Sequence, residues 1–413
     1  MFGIGSLQAS ERYGAIVDIG SGSVLAAIVA SHPDRAYPTV VWSKREHTPL
    51  RANASTTDAA HNVMSSFMNV LMALDSAGRQ ALAAHDRTAR LSHLQVTVAA
   101  PWSYTITKTI THAREETFPV TTDLISELVN RAREQTREEL QENELSNRLG
   151  LTVTARMITH ITANDYELES IAGQPVSSVA LSHSSVITQT YLTDAITDAH
   201  DKMFRRAKLD TYSFMLVFYC ALRDLHPHLR EYCLIDVTYE ATEIAIIRDG
   251  ILRYCTHTPF GAYSIAREIS AITDLPLAEA YGHLTGPDLA TLRERCNDEQ
   301  NEEISTMFTK YEQRLAELLT ETGDELSLPR QLFVHSTLTT EPFFRERLEH
   351  ASSSVTGNTH LVTTATLPIV TAHMPEGAVA AAKKLGGDSA LIVAAQFFHQ
   401  CHHCEKVSYP RNL

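Results

Sequence analysis

The amino-acid sequence predicts an α/β fold of two similar sheet-and-helix halves facing one cleft, with a small α+β domain inserted in the first half. Three observations lead there. Residues 13–19 (YGAIVDI) form an apolar run that carries Asp18 and passes through Gly20, Ser21, Gly22 and Ser23 into a second apolar run at 24–29. The same order recurs at 232–237 (YCLIDV), which carries Asp236 and leads through a short turn to a further run at 243–247. Between the two, residues 101–188 hold strands and a helix of their own.

At 413 residues the chain has room for two to three domains of about 150 residues each. With 44% hydrophobic and 20% charged residues, it falls in the soluble globular class and not among disordered or fibrous chains. Lys plus Arg number 35 against 49 Asp plus Glu, a net charge of -14, and such a surface does not neutralise phosphates. A nucleic-acid partner is therefore not expected. The six cysteines, Cys220, Cys233, Cys255, Cys296, Cys401 and Cys404, are too sparse for a disulfide framework and read as reduced core residues. No stretch approaches the roughly 20 apolar residues that span a bilayer, and the first residues lack a secretory pattern. A cytoplasmic location is expected.

The elements follow in order. The runs 13–19 and 24–29 are strands joined by the Gly/Ser turn, and a third strand is expected at 39–42. From 57 to 85 the spacing turns helical, with Val63, Met64, Phe67, Met68, Leu71 and Leu74 on one core-facing side and Ser55, Thr56 or Thr57 as N-cap. Residues 94–100 (LQVTVAA) form a buried strand stopped by Pro101. Within 101–188, strands are expected at 104–111, 151–159, 166–171 and 176–181, with a hairpin turn at Ala172-Gly173 and a charged helix from Thr122 and Asp123. The mixed charges of 131–148 describe a solvated helix face. A helix at 189–208 and an apolar run at 214–222 come next. Strands at 232–237 and 243–247 lead through the Asp249-Gly250 hairpin to another at 251–257. The stretch 275–326 is helical, with an apolar face through Ile304, Phe308, Leu315 and Leu318 or Leu319. A strand at 331–334 and an apolar helix at 387–399 complete the chain.

Two such halves set Asp18 and Asp236 across one cleft. That arrangement suits a nucleotide whose magnesium is held through waters on the two carboxylates, while turn amides and hydroxyls surround the phosphates. On residues 18–24 (DIGSGSV), 234–237 (LIDV) with Thr242, Asp249-Gly250, and 258–261 (TPFG) before a helix at 262–272, the sequence resembles the actin-like ATPase superfamily, with its duplicated ribonuclease H-like halves. Within that superfamily it is similar to the FtsA/PilM-type proteins. The resemblance implies nucleotide contacts at Asp18, Gly20, Ser21, Gly22, Ser23, Asp236, Thr238 and Gly261, and indirect magnesium binding at Asp18 and Asp236. It also implies a division into 1–100 and 189–230 for the first half, 101–188 for an inserted SHS2-type domain, 231–400 for the second half with a helical subdomain at 275–328, and a tail at 401–413.

Three elements depart from the superfamily pattern. Thr238, Tyr239 and Glu240 stand where the second phosphate loop is glycine-rich, and Glu240 would add negative charge beside a polyphosphate. Leu25 replaces a phosphate-contacting lysine, and His335-Ser336-Thr337-Leu338 replace the glycine pair of the adenosine site. The expectation is a retained fold with ATP hydrolysis weakened or lost and ATP with magnesium as the implied ligand. No catalytic residue is assigned.

By resemblance the protein would be a scaffold or adaptor that links membrane machinery to cytoplasmic partners, in bacterial cell division or type IV pilus assembly. Its protein partners are expected on the inserted domain. Its place at the inner face of the membrane is expected through a partner, because the tail at 405–413 is too short and polar for an amphipathic membrane helix. Self-polymerisation is a further implication, and a small-molecule kinase of the same superfamily is the alternative, although no general-base aspartate stands out. Cys401-His402-His403-Cys404 after His399 offers part of a tetrahedral zinc site, but no second pair completes it, so a helix end is expected there instead. No Gly-x-Ser-x-Gly elbow, His-Glu-x-x-His pair or Walker loop occurs.

Overall fold

A computed structural model describes residues 11–49, 56–142, 150–167, 173, 175–285, 289–320, 328–336, 340–356, 361–364 and 388–403. Two five-stranded sheets share one strand order. In the first, β1 (Arg12–Ile19) lies between β2 (Ser23–Ser31) and β4 (Leu91–Val98), with β3 (Thr39–His47) and β9 (Lys208–Ser213) outside them. In the second, β10 (Tyr232–Val237) lies between β11 (Thr242–Arg248) and β13 (Gln331–His335), flanked by β12 (Ile251–Thr258) and β14 (Leu361–Thr364). Each sheet pairs its first three strands antiparallel and adds two parallel ones. The duplication read from two Asp-bearing strands is thus a duplication of whole sheets.

The two sheets are held together by apolar helices. Helix α5 (Phe214–Leu225) is buried almost all round, and α11 (Ser389–His403) packs against it. Their side chains form one core with Ile16 and Val29 of the first sheet and Leu234, Ala245 and Phe333 of the second. A helix apolar on every side belongs between layers, which explains why residues 214–222 lack a 3.6-residue alternation. The outer face of the first sheet is covered by α1 (Thr56–Ala73), which continues through a π-helical turn at Leu74–Gly78 into α2 (Arg79–His85), and by α4 (Thr190–Ala199). The outer face of the second sheet carries α6 (Ala262–Thr273), α7 (Leu277–Thr285), α8 (Leu289–Arg295), α9 (Asp298–Thr320) and α10 (Glu341–Thr356).

The third sheet has the order β5 (Ser103–Pro119), β8 (Pro175–Gln189), β6 (Leu151–Ala163), β7 (Tyr166–Glu167). Helix α3 (Thr122–Glu142) covers one face, where Ile125, Leu128, Val129 and Ala132 meet Ile110, Ile158, Ile161, Val179 and Leu181. From the other face, Met157 and Val186 enter the core shared by the first two sheets.

Several expectations are corrected. The helix expected to reach Lys208 is α4 followed by a π-helical turn at His200–Phe204, and Lys208 opens β9. That short strand forms because β4 offers a parallel edge, a tertiary condition absent from local pattern. Helix α10 and strand β14 were not foreseen. Strands β3, β5, β6 and β8 run several residues past their expected ends. Met68 is exposed, because one step beyond Phe67 turns it about 100° away from the buried stripe. Cys401 is also exposed, while Cys220 and Cys233 are buried. Ser55, Ala172, residues 143–148, 168–171 and 321–326, Gly387, Cys404 and the tail at 405–413 lie outside the described residues.

Candidate functional site

The cleft follows from the duplication. Asp18 is the penultimate residue of β1 and Asp236 the penultimate residue of β10, so equivalent positions of the two sheets bring both carboxylates to one cavity of about 520 Å³. Gly20, Ser23 and Thr238 also line it, whereas Ser21, Gly22 and Gly261 do not. All eight sequence-derived residues therefore meet in one region, but in two shells, five on the wall and three where the turns behind it touch.

Each carboxylate already has a basic partner. The Arg45 guanidinium, from β3, donates to Asp388 through Nε at 2.5 Å and Nη2 at 2.9 Å, to Ser23 Oγ through Nη1 at 2.6 Å, and lies 3.7 Å from Asp18 Oδ2. Thr97 donates to Asp18 Oδ1 at 2.7 Å. Burial nonetheless dominates at Asp18 and raises its pKa against the pull of Arg45 and Thr97. Burial also works against an ionised Asp388, but there the guanidinium's charge and hydrogen bonds win and hold the carboxyl below its ordinary value. Across the cleft, His335 Nδ1 bonds Asp236 Oδ1 at 2.8 Å. Burial disfavours the imidazolium, yet the bond and charge of Asp236, with Asp18 and Asp388 beyond, raise the pKa of His335. Asp236 Oδ2 and His335 Nε2 have no partner among the described residues.

The two turns close on each other. Ser21 Oγ donates to Thr238 Oγ1 at 2.9 Å and accepts from the Glu240 amide at 2.9 Å. A Cβ built on Gly22 would come within 2.4 Å of the Tyr239 ring, so that glycine exists to admit the tyrosine. A Cβ on Gly261 would lie 2.5 Å from the Thr238 carbonyl oxygen, which makes Gly261 the seat of the second turn. Tyr239, Tyr263 and Tyr281 pack as one cluster on the cavity wall, with ring centroids 4.5 Å apart for the first pair. Glu240 does not project its charge into the cleft. It forms a two-pronged ion pair with Arg267, one of whose bonds measures 3.0 Å.

These residues do not fit a magnesium polyphosphate as they stand. Asp18 and Asp236 are engaged by Arg45 and His335, the Ser21 hydroxyl donates to Thr238 Oγ1 and that of Thr238 to the Ala241 carbonyl, and Tyr239 covers Gly22. The cation missing at Leu25 comes instead from Arg45, its cross-strand neighbour on β3. At the expected adenosine segment, His335 is turned to Asp236 and Ser336 Oγ to Thr340, while Thr337 and Leu338 lie outside the described residues. No group of three or more metal-ligand side chains occurs among the described residues. His399 Nδ1 is bonded to Ser31 Oγ at 2.7 Å. Sequence reasoning missed Arg45, Asp388 and the tyrosine cluster. Arg45 sits in a charged run, SKREH, with nothing local to mark which cation turns inward.

The strand orders and the crossing helices match a known architecture. The structure is similar to that of the PilM-PilN type IV pilus biogenesis complex, with a TM-score of 0.53 at 12% identity over 95% of this chain and 99% of that one. The chain has an actin-like ATPase fold. Weaker likenesses are to the ethanolamine utilization protein EutJ from Carboxydothermus hydrogenoformans and to a Listeria monocytogenes protein assigned as an N-acetylmannosamine kinase. The first has a TM-score of 0.40 at 11% identity over 95% of this chain and 91% of that one. The second has a TM-score of 0.40 at 12% identity over 94% and 99%. No protein-family model and no curated protein matches the sequence.

Proposed function

We propose that this chain is an actin-like scaffold or adaptor that links membrane machinery to cytoplasmic partners, in bacterial cell division or type IV pilus assembly, by protein contact and not by nucleotide turnover. The observation that carries the reading is the Arg45 bridge, which puts a side-chain cation where the resemblance implies a metal ion. Likeness in fold to a chain from a pilus biogenesis complex supports a protein partner. We assign partner binding to an inserted domain at 101–188, the third sheet with α3, which adds surface to two halves that are otherwise complete. No helix among the described residues is long and apolar enough to cross a membrane, and we place the protein at the inner face of the membrane through its partner.

Calorimetry with ATP and magnesium tests the central claim. The expected result is no saturable heat up to about 1 mM, weaker than roughly -4.1 kcal/mol. Micromolar binding, sedimentable polymer on adding ATP, or phosphoryl transfer to any member of a metabolite panel would overturn it. Complementation of a deletion strain, scored for piliation and for cell length, then separates pilus assembly from division.

A further inference from the structure

We propose that the groove between α3 and the third sheet binds a small oxyanion, a phosphate or carboxylate carried by a metabolite, held by Arg133 and Arg156 with the Ser185 hydroxyl at its floor. The groove exists because two patterns diverge. The first half of α3 buries Ile125, Leu128, Val129 and Ala132 on an apolar stretch of sheet. The second half faces His183 and Ser185 of β8, whose side chains are too small or too polar to continue that core. The result is a cavity of about 310 Å³ lined by Arg133, Thr136, Arg137, Arg156 and Ser185, among others. That volume lies at the small end for ligand sites of roughly 300–1,000 Å³ and suits a metabolite better than a nucleotide.

The polar groups there call for an anion. Ser185 is fully buried, and its Oγ has no hydrogen-bond partner among the described residues, an arrangement that is costly unless a ligand completes it. The ring nitrogens of His183, two residues earlier on the same face of β8, are likewise unpartnered. Arg156 is directly opposite Ser185 in the β6–β8 ladder and makes no ion pair among the described residues. Burial and then the charge of Arg133 both depress its pKa, the mark of two guanidinium groups lying close together. Glu134, which also lines the cavity, is paired with Arg137, and Glu139 with Lys108. His183 is neutral, its pKa lowered to about 4 by burial and then by Arg133 and Arg156, so it adds no competing charge. In a chain of net charge -14 this is a local reversal of sign.

The test is calorimetry of the full chain with inorganic phosphate in one arm and succinate in the other, at low salt. Saturable binding is expected in at least one arm, and which arm responds tells phosphate from carboxylate recognition. Arg156→Gln should weaken it at least about tenfold, or roughly 1.4 kcal/mol. Ser185→Ala should weaken it too while raising the melting temperature of the ligand-free protein, since it deletes a buried hydroxyl without a partner. A purely structural serine would not move the two readouts in opposite directions. No saturation by either anion up to about 10 mM, or affinity unchanged in both variants, overturns the assignment.

Discussion

Arg45→Met is the perturbation that most directly tests the cleft. It keeps the aliphatic bulk of the side chain and removes its charge. Arg45 bonds Asp388 at 2.5 and 2.9 Å and approaches Asp18 at 3.7 Å, with side-chain exposures of 22%, 18% and 6% for Arg45, Asp388 and Asp18. At an effective dielectric near 20, a pair at about 4 Å attracts by about 4 kcal/mol, and desolvation offsets much of this. Truncation is a different quantity. It strands two buried carboxylates beside each other, and removing one partner of a buried pair costs about 3–5 kcal/mol. Unfolding by urea at pH 7 should show a loss of that order in the transition that includes the cleft. The wild-type contribution of Asp388, whose pKa is depressed in the folded state, is present above its ordinary value and lost as pH falls through the folded one. In the variant both carboxylates are pushed upward instead, so the deficit should shrink as acid protonates them. Magnesium or calcium should raise the stability of Arg45→Met and leave wild type unchanged, because a divalent ion can take the vacated place between the carboxylates. A variant within about 0.5 kcal/mol of wild type at pH 7, the range of ordinary surface substitutions, would refute the claim that Arg45 acts as the resident cation.

Three further outcomes are expected. The raised pKa of His335 means its bond to Asp236 stabilises the fold fully below the unfolded value near 6.5 and is lost as pH rises through the folded value, so His335→Gln should flatten the stability profile on that alkaline side. Gly22→Ala should destabilise by about 1–3 kcal/mol through the Tyr239 ring, and adding Tyr239→Ala should recover part of the loss in a double-mutant cycle. Glu243, fully buried and accepting from Cys255 Sγ at 3.0 Å, has its pKa pushed by burial to about 8. The folded protein therefore holds a proton that the unfolded chain releases near 4.5, and stability should fall with rising pH across that window. Glu243→Gln should abolish this slope and leave the variant the more stable form at pH 8, as read by thermal melts across the range.

The apolar runs ending at Asp18 and Asp236, the Gly20-Ser21-Gly22-Ser23 turn and the Asp249-Gly250 hairpin were legible because strand alternation and turn chemistry are local. So was the charged helix beginning at Thr122, which needs only its own cap and period. The duplication was legible for the same reason, since each half repeats a short signal and the fold follows from it. Helix α5 was visible only as an apolar run, and Lys208 was given to a helix, because burial between layers and an available β4 edge belong to other parts of the chain. The same division holds within the site. Local sequence was enough to put a carboxylate at the end of each of two strands and a small-residue turn after the first. Which basic groups those carboxylates would meet was decided by the tertiary structure alone, for Arg45 reaches Asp18 from two strands away and ties it to Asp388, 343 positions from the arginine, and His335 reaches Asp236 across 99. Electrostatics depends on distance in space and on burial, and neither is a property of neighbouring letters.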